Sequence, residues 1–519
     1  MNRKWWTLSA VCVGIFMLLL DLTIVNVALP DIAHNFHASI ADLQWVIDAY
    51  ALSLAALLLT AGSLADLLGR RAMFVVGIVV FTAGSALCGV STGPLFIILA
   101  RAFQGVGGAI MFATSLALLA NAFHGKERGT AFGIYGAVTG IAIAVGPVLG
   151  GVLTSGISWR WIFYVNIPIG VVALVMTLTR VEESRNPNAS RPDWLGFITF
   201  SGALGALVYG LIESSIDGWS AMAVLVPLIA AAVLLGAFIV VERLQRSPML
   251  DFSLLKKPTF TGGLIAAFGI NGSVFALITY IVLYLQDSLG LSAVATGVRF
   301  LLMTGATFVT AAIAGRLTAH MPVKWLIAPG FVVSGIGIVL MTGLAPASGW
   351  THLIPGLVVC GVGIGMVNVP LASTAVGVVE PARSGMASGI NSTLRQVGTA
   401  TGIAALGTIF SAKLRATVVS SLAATPLRHA ASSIASAITN GSGLVGGARP
   451  AAHAGLIAAA ARAGFVHGLN DILWIGAVVC FVSAVFCLFL IRQRDFVAAH
   501  AQPGESDVRP PSEQLAAAR

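Results

Sequence analysis

A chain of 519 residues that is 57% hydrophobic and only 9% charged cannot clothe the surface of a soluble domain, where about a quarter of residues carry charge. With a formal net charge of +9 and a mean hydropathy of +0.93, its apolar residues fall in repeated runs of roughly 20, the length that crosses a hydrocarbon core. Composition therefore excludes a soluble globular protein and defines a membrane protein.

Fourteen runs predict fourteen transmembrane helices. The first, 6–29, follows Arg3 and Lys4 as a signal peptide would. Asp21 interrupts it and many spans follow, which favours an uncleaved helix. It carries Asp21-Leu-Thr-Ile-Val-Asn26-Val-Ala-Leu-Pro30. The second, 43–65, holds Asp48 about one turn in, within Trp45-Val-Ile-Asp48-Ala-Tyr50. Gly62-Ser-Leu-Ala-Asp66-Leu-Leu-Gly69-Arg70-Arg71 leads to the third, 72–92. Its glycines permit a tight turn, and Asp66 is placed to pair with a basic residue or cap a neighbouring helix.

The fourth span, 95–120, contains Leu99-Ala-Arg101-Ala-Phe-Gln104-Gly105-Val-Gly107-Gly108. Arg101, Gln104, Gly105 and Gly108 share one helical stripe. An arginine there costs roughly 3 kcal/mol or more unless it meets a polar cavity or a partner. In the fifth, 129–155, Gly136, Gly140, Ala144, Pro147 and Gly151 lie on one face and overlap Gly146-Pro147-Val-Leu-Gly150-Gly151. Small residues of this kind let another helix approach closely, and Pro allows a bend.

Trp159-Arg160-Trp161-Ile-Phe-Tyr-Val-Asn166-Ile-Pro168-Ile-Gly170 opens the sixth, 160–180. The seventh to twelfth are 194–214, 220–241, 260–285, 296–317, 325–344 and 352–376. The thirteenth, 385–411, begins in Arg383-Ser-Gly-Met-Ala-Ser-Gly389-Ile-Asn391-Ser-Thr-Leu-Arg395-Gln-Val-Gly398. There Asn391, Arg395, Gly398 and Gly402 form another stripe, suited to lining a cavity, meeting an anionic substrate or bonding neighbouring carbonyls. The fourteenth is 468–491.

With the N-terminus inside, the inner segments hold 20 of the 29 basic residues. The positive-inside rule then puts both termini in the cytoplasm, and the net charge reflects topology, not nucleic acid. Gly62-Ser-Leu64 and Gly315-Arg-Leu317 are each followed by a basic residue nine positions after the glycine, Arg71 and Lys324. This weak repeat divides the chain into parallel halves, the signature of a transporter that rocks about a central site. The expected organisation is an N-terminal six-helix bundle over 1–180 and an inserted transmembrane hairpin with linkers over 181–259. A C-terminal six-helix bundle over 260–491 follows, with an outer loop at 412–465 that either carries short amphipathic helices or is disordered, and then a disordered tail at 492–519. All five cysteines fall in apolar runs, and neither a metal cluster nor a phosphate-binding loop is present in the sequence.

These stretches together resemble the Major Facilitator Superfamily, and with fourteen spans they are similar to its drug:proton antiporters of the EmrB/QacA type. The resemblance implies an all-α polytopic fold and a conformational latch at Gly62, Asp66, Gly69, Arg70 and Arg71. It associates Asp21 with proton coupling, together with Arg101. It makes Gly136, Gly140, Gly146, Pro147, Gly150 and Gly151 an antiporter motif, which implies export. Asp48, Asn26, Gln104, Asn391 and Arg395 are the expected substrate-cavity residues. The second-half loop, Gly315 to Lys324, departs by lacking an acid where Asp66 stands, and Phe300-Leu-Leu-Met-Thr lacks a proline often found there.

The expected function is a proton-coupled antiporter in the inner membrane exporting hydrophobic, cationic drugs or toxic compounds. The alternative is a dedicated exporter of a native lipid, siderophore or antibiotic. An embedded enzyme or receptor is disfavoured, because no cluster of His, Ser, Cys or paired acids suggests bond-breaking chemistry. The expected partners are lipophilic small molecules, protons and the bilayer, with no cofactor and no nucleic acid. A periplasmic adaptor and the oligomeric state stay open.

Overall fold

A computed structural model of the chain describes residues 3–123, 125–185, 193–245, 248, 250, 252–318, 321–379, 384–439 and 453–496. Among these residues the regular structure is helical throughout. The long helices are α1 (Arg3–Phe36), α2 (Ile40–Leu68), α3 (Arg70–Gly89), α4 (Pro94–Ala122), α5 (Gly125–Gly156), α6 (Trp161–Arg180), α7 (Trp194–Asp217) and α8 (Met222–Leu244). They continue as α9 (Pro258–Ser288), α10 (Ala293–Leu317), α11 (Lys324–Leu340), α12 (Ile354–Gly377), α13 (Ser384–Leu422) and α14 (Ala454–Leu490). Thirteen contain an apolar stretch of spanning length, and α11 is a shorter apolar helix. Each coincides with one of the fourteen runs.

Local chemistry sets the helix ends. Ser39 accepts from the Asp42 amide, and the Asp42 carboxylate accepts from the Ser39 amide, a capping box that starts α2. Pro94 and Pro258 stand at helix starts, where their missing N–H costs nothing. The turns that flank α2 mark the two ends of the molecule, the Ser39 end and the Gly69 end.

Helices α1–α6 pack on one another, as do α9–α14. The two groups meet where α5 packs on α10, α2 on α13 and α1 on α9. The α7–α8 hairpin lies outside, with α7 against both α2 and α13. Ala51, Val208, Ile212, Ala400 and Ala404 form a small core there, so one helix pair covers one side of the seam. Large apolar side chains point outward on many helices, including Leu95 and Leu99 on α4, Val171 and Val175 on α6, and Ile229 and Val233 on α8. Such a surface suits lipid, and it leaves polar side chains for the interior.

Two boundaries differ from expectation. The loop expected at 412–465 is shorter: α13 runs to Leu422, a short helix covers Ala431–Thr439, and α14 already begins at Ala454. The alanine-rich flanks extend the neighbouring helices, as their helix propensity favours. The tail expected to be disordered from 492 starts with an ordered turn. The Asp495 carboxylate accepts from the Thr259 amide at 3.2 Å and its hydroxyl at 2.7 Å, capping the start of α9. Phe496 packs beside it on the core. Residues 497–519 lie outside the described ones.

Candidate functional site

The centre of the first half holds a buried polar network. Asp21 on α1 is 0% exposed and Arg101 on α4 is 1% exposed. Arg101 Nη1 lies 2.5 Å from Asp21 Oδ2. Gln104 Nε2 donates to Asp21 Oδ1 at 2.9 Å, and Asn166 Nδ2 on α6 donates to the same oxygen at 3.0 Å. Arg101 also donates to Gln104 Oε1 at 2.8 Å and to the Val46 carbonyl of α2 at 3.2 Å, and its guanidinium stands 4.2 Å from the Tyr50 ring centroid. Asn166 continues the network to Ser85 on α3, which donates to the Phe163 carbonyl.

This answers the cost of an arginine in an apolar span. In the sequence Asp21 stands alone among apolar residues; in space α4 and α6 bring it a cation and two amide donors, a setting suited to an ionised carboxylate. Gln104, expected in the substrate cavity, is instead 0% exposed within this network. Asn166 and Ser85 were missed as site residues. The signal for Asn166 was a polar residue inside an apolar run.

The seam between the halves is bonded towards the Ser39 end. Asn26 Oδ1 accepts from Thr279 at 3.0 Å, and Gln286 Nε2 donates to the Val27 carbonyl at 2.8 Å. His34 Nε2 lies 3.5 Å from Asp287 Oδ1. Gln44 Nε2 reaches both the Tyr280 hydroxyl and the Ile403 carbonyl, each at 3.1 Å. The α9 partners sit in or between two π-helical turns, Asn271–Phe275 and Tyr284–Ser288. Each such turn shifts the phase of the side chains that follow, and π-turns recur at functional sites. Asn26 therefore joins the halves in this state.

Asp48 lies one turn beyond Gln44 on the same face of α2, within electrostatic range of Tyr280. It is 0% exposed, and among the described residues no group donates to either carboxylate oxygen. Asp48, expected to line the substrate cavity, is packed inside protein in this state.

The glycine-rich fifth-span motif divides between two neighbours. A Cβ on Gly151 would fall 2.5 Å from the Ala293 carbonyl of α10, and one on Gly297 would fall 2.2 Å from the Pro147 carbonyl. Gly146 and Gly150 press instead on Thr23 and Ile24 of α1. Towards the Gly69 end the fit loosens: Gly136 has nothing within 4 Å and Gly140 meets only Phe308 at 3.9 Å. Gly140, Pro147 and Gly151 of the expected face thus turn to α10, and Gly146 and Gly150, each one residue earlier and about 100° round the helix, turn to α1.

At the Gly69 turn, Asp66 pairs with Arg70 at 2.9 Å. Gly69 has φ +118°, and a Cβ there would lie 2.7 Å from the Glu183 carboxyl. Glu183 accepts from the Arg71 and Ala72 amides, both at 3.0 Å, so an acid beyond α6 caps α3. Arg71 reaches the Leu178 carbonyl at 2.6 Å. Glu183 was also missed; nothing in its local sequence ties it to residue 69. Gly62 has nothing within 4 Å.

In the second half, Arg395 donates to Asn391 Oδ1 at 3.3 Å and to Asn368 Oδ1 on α12 at 3.0 Å. Its partners are amide oxygens, not backbone carbonyls. Among the described residues no group of three or more His, Cys, Asp or Glu side chains converges as a metal site requires.

Two groups of six spanning helices, a covering hairpin and an internal ion pair define a polytopic membrane transporter of the two-half kind. A sequence model of the Major Facilitator Superfamily matches residues 11–403, and the chain belongs to that superfamily. It is 37% identical over 420 residues to "Multidrug resistance protein Stp" of Mycobacterium tuberculosis, covering 80% of this chain and 78% of the relative. It is 31% identical over 497 residues to the "Tetracenomycin C resistance and export protein" of Streptomyces glaucescens, covering 94% and 92%. The fold is similar to a crystal structure of a bacterial homologue of the human lysosomal transporter Spinster, in an inward-facing and occupied conformation. That match has a TM-score of 0.64 at 17% identity and covers 96% of this chain and 99% of the other.

Proposed function

We propose that the protein is a proton-coupled exporter of hydrophobic drugs or toxic compounds. The observation that carries the coupling is the buried Asp21–Arg101 pair with its two amide donors. Relatives named for multidrug resistance and for tetracenomycin C export support the cargo and its direction. The basic bias of one set of segments supports cytoplasmic termini in an inner membrane, with the Ser39 end outside. The bonded seam is then the closed outer gate.

On this reading the functional units are 1–180, 181–259 and 260–491. A proton that reaches Asp21 removes its charge and releases Arg101, so the α1–α4 contact weakens as the carrier turns. Asp48, whose oxygens accept from no group among the described residues, carries a second proton while the outer gate is closed. Asp66, Arg70, Arg71 and Gly69 hold the inner latch, and the Gly146–Gly151 segment packs the outer one. Moving one charge down 100 mV is worth about 2.3 kcal/mol, enough for a roughly fifty-fold gradient.

The test is transport into everted vesicles against a compound panel, with and without an imposed pH gradient. Uptake that depends on the gradient supports the reading, and uptake unchanged when the gradient is collapsed refutes the coupling.

A further inference from the structure

The charges of the interior are distributed unevenly between the halves. Neither acid of the first half is free to meet a cationic cargo in this state: Asp21 is neutralised by Arg101, and Asp48 is sealed at 0% exposure. The second half offers the opposite chemistry. Arg395 is partly exposed on α13 and contacts only the neutral oxygens of Asn391 and Asn368, with no carboxylate in reach among the described residues. Asn391 is 4% exposed, and its Nδ2 has no acceptor among the described residues. An arginine this far into a spanning helix is too costly to leave in lipid, and it turns to the polar side chains of Asn391 and Asn368 between α13 and α12. Its two amide neighbours orient the guanidinium and leave its charge uncompensated. One further buried donor, Asn391 Nδ2, stands beside it.

We infer that Arg395, Asn391 and Asn368 form a cargo site for lipophilic organic anions, compounds whose apolar body bears an ionised phenolate or carboxylate. The inference rests on the export reading for its physiological meaning, but binding at the site does not. The anion takes the charge-assisted bonds that protein carboxylates leave free, and Asn391 Nδ2 becomes satisfied on binding.

Two xanthene dyes of similar shape and opposite charge test this: fluorescein, an anion, and rhodamine 123, a cation. Binding to the purified full-length protein is read by fluorescence anisotropy, which needs neither coupling nor transport. The wild type should prefer fluorescein. Asn391→Asp puts a carboxylate beside the Arg395 Nε, 3.3 Å away in the native geometry, and so neutralises the site without removing the arginine. It should weaken fluorescein binding by about tenfold or more, the scale of a bond to a charged group, and leave rhodamine 123 unchanged or tighter. Arg395→Gln should act in the same direction, and Arg395→Lys should retain part of the preference.

Preference of the folded wild type for rhodamine 123, binding of neither dye, or unchanged fluorescein affinity in Asn391→Asp each overturns the anion site. Equal weakening by Asn391→Asp of a neutral dye of the same shape would also overturn it, in favour of a plain acceptor site. Loss of all vesicle transport with anion binding intact would instead count against the export reading alone.

Discussion

Asp21→Asn is the perturbation from which most follows. Breaking a buried ion pair by removing one partner costs about 3–5 kcal/mol, because the other charge stays buried without compensation. Here Arg101 keeps the Gln104 and Val46 oxygens and the Tyr50 ring, so the lower end of that range, about 3 kcal/mol, is expected. Arg101→Met should cost a similar amount, since Asp21 keeps the Gln104 and Asn166 donors. The double variant buries no charge at this position, so its loss should fall short of the sum by about 2–3 kcal/mol. Denaturant unfolding of the four purified proteins in micelles measures this cycle. Proton release on adding substrate should fall in Asp21→Asn to the share that Asp48 supplies, and a separately purified Asp21→Glu should keep more of it. Strict additivity in the cycle would refute the pair, and undiminished uphill transport by Asp21→Asn would refute its coupling role.

Asp48→Asn should leave stability within about 1 kcal/mol of wild type, because it replaces a carboxyl whose oxygens accept from no group among the described residues. Fewer protons should be released per substrate, and a large loss of stability would show the anion to be compensated. Gly69→Ala forces a positive φ on a residue with a Cβ and crowds Glu183, at a cost of about 1–3 kcal/mol. Transport should fall, whereas Gly62→Ala, with open space around it, should match wild type in the same assay. Gly151→Val should hold the α5–α10 seam apart and expose Ala293→Cys to an impermeant maleimide, and Gly136→Ala should leave labelling unchanged. Trp219→Cys should react with that reagent in intact cells and Arg185→Cys should not; the reverse pattern would invert the proposed orientation.

The sequence by itself determined the membrane class, the fourteen spans and most of their ends. Twenty-residue apolar runs and turn chemistry such as Ser39, Pro94 and Pro258 act within a few residues of themselves, so one dimension suffices to read them. It also marked Asp21, Arg101, Asn391 and Arg395, since an ionisable or polar group in an apolar run stands out wherever it points. Only the tertiary structure decided what each of those groups meets. Asp21 and Arg101 are far apart in the chain and touch because α1 and α4 cross at that level. Glu183 reaches Gly69 because α6 packs beside α3. Asp48 and Arg395 both looked like cavity residues, yet packing buries the first completely and leaves the second partly open. Burial and pairing are properties of helix faces brought together, and a helix does not record in its own sequence which neighbour each face will find.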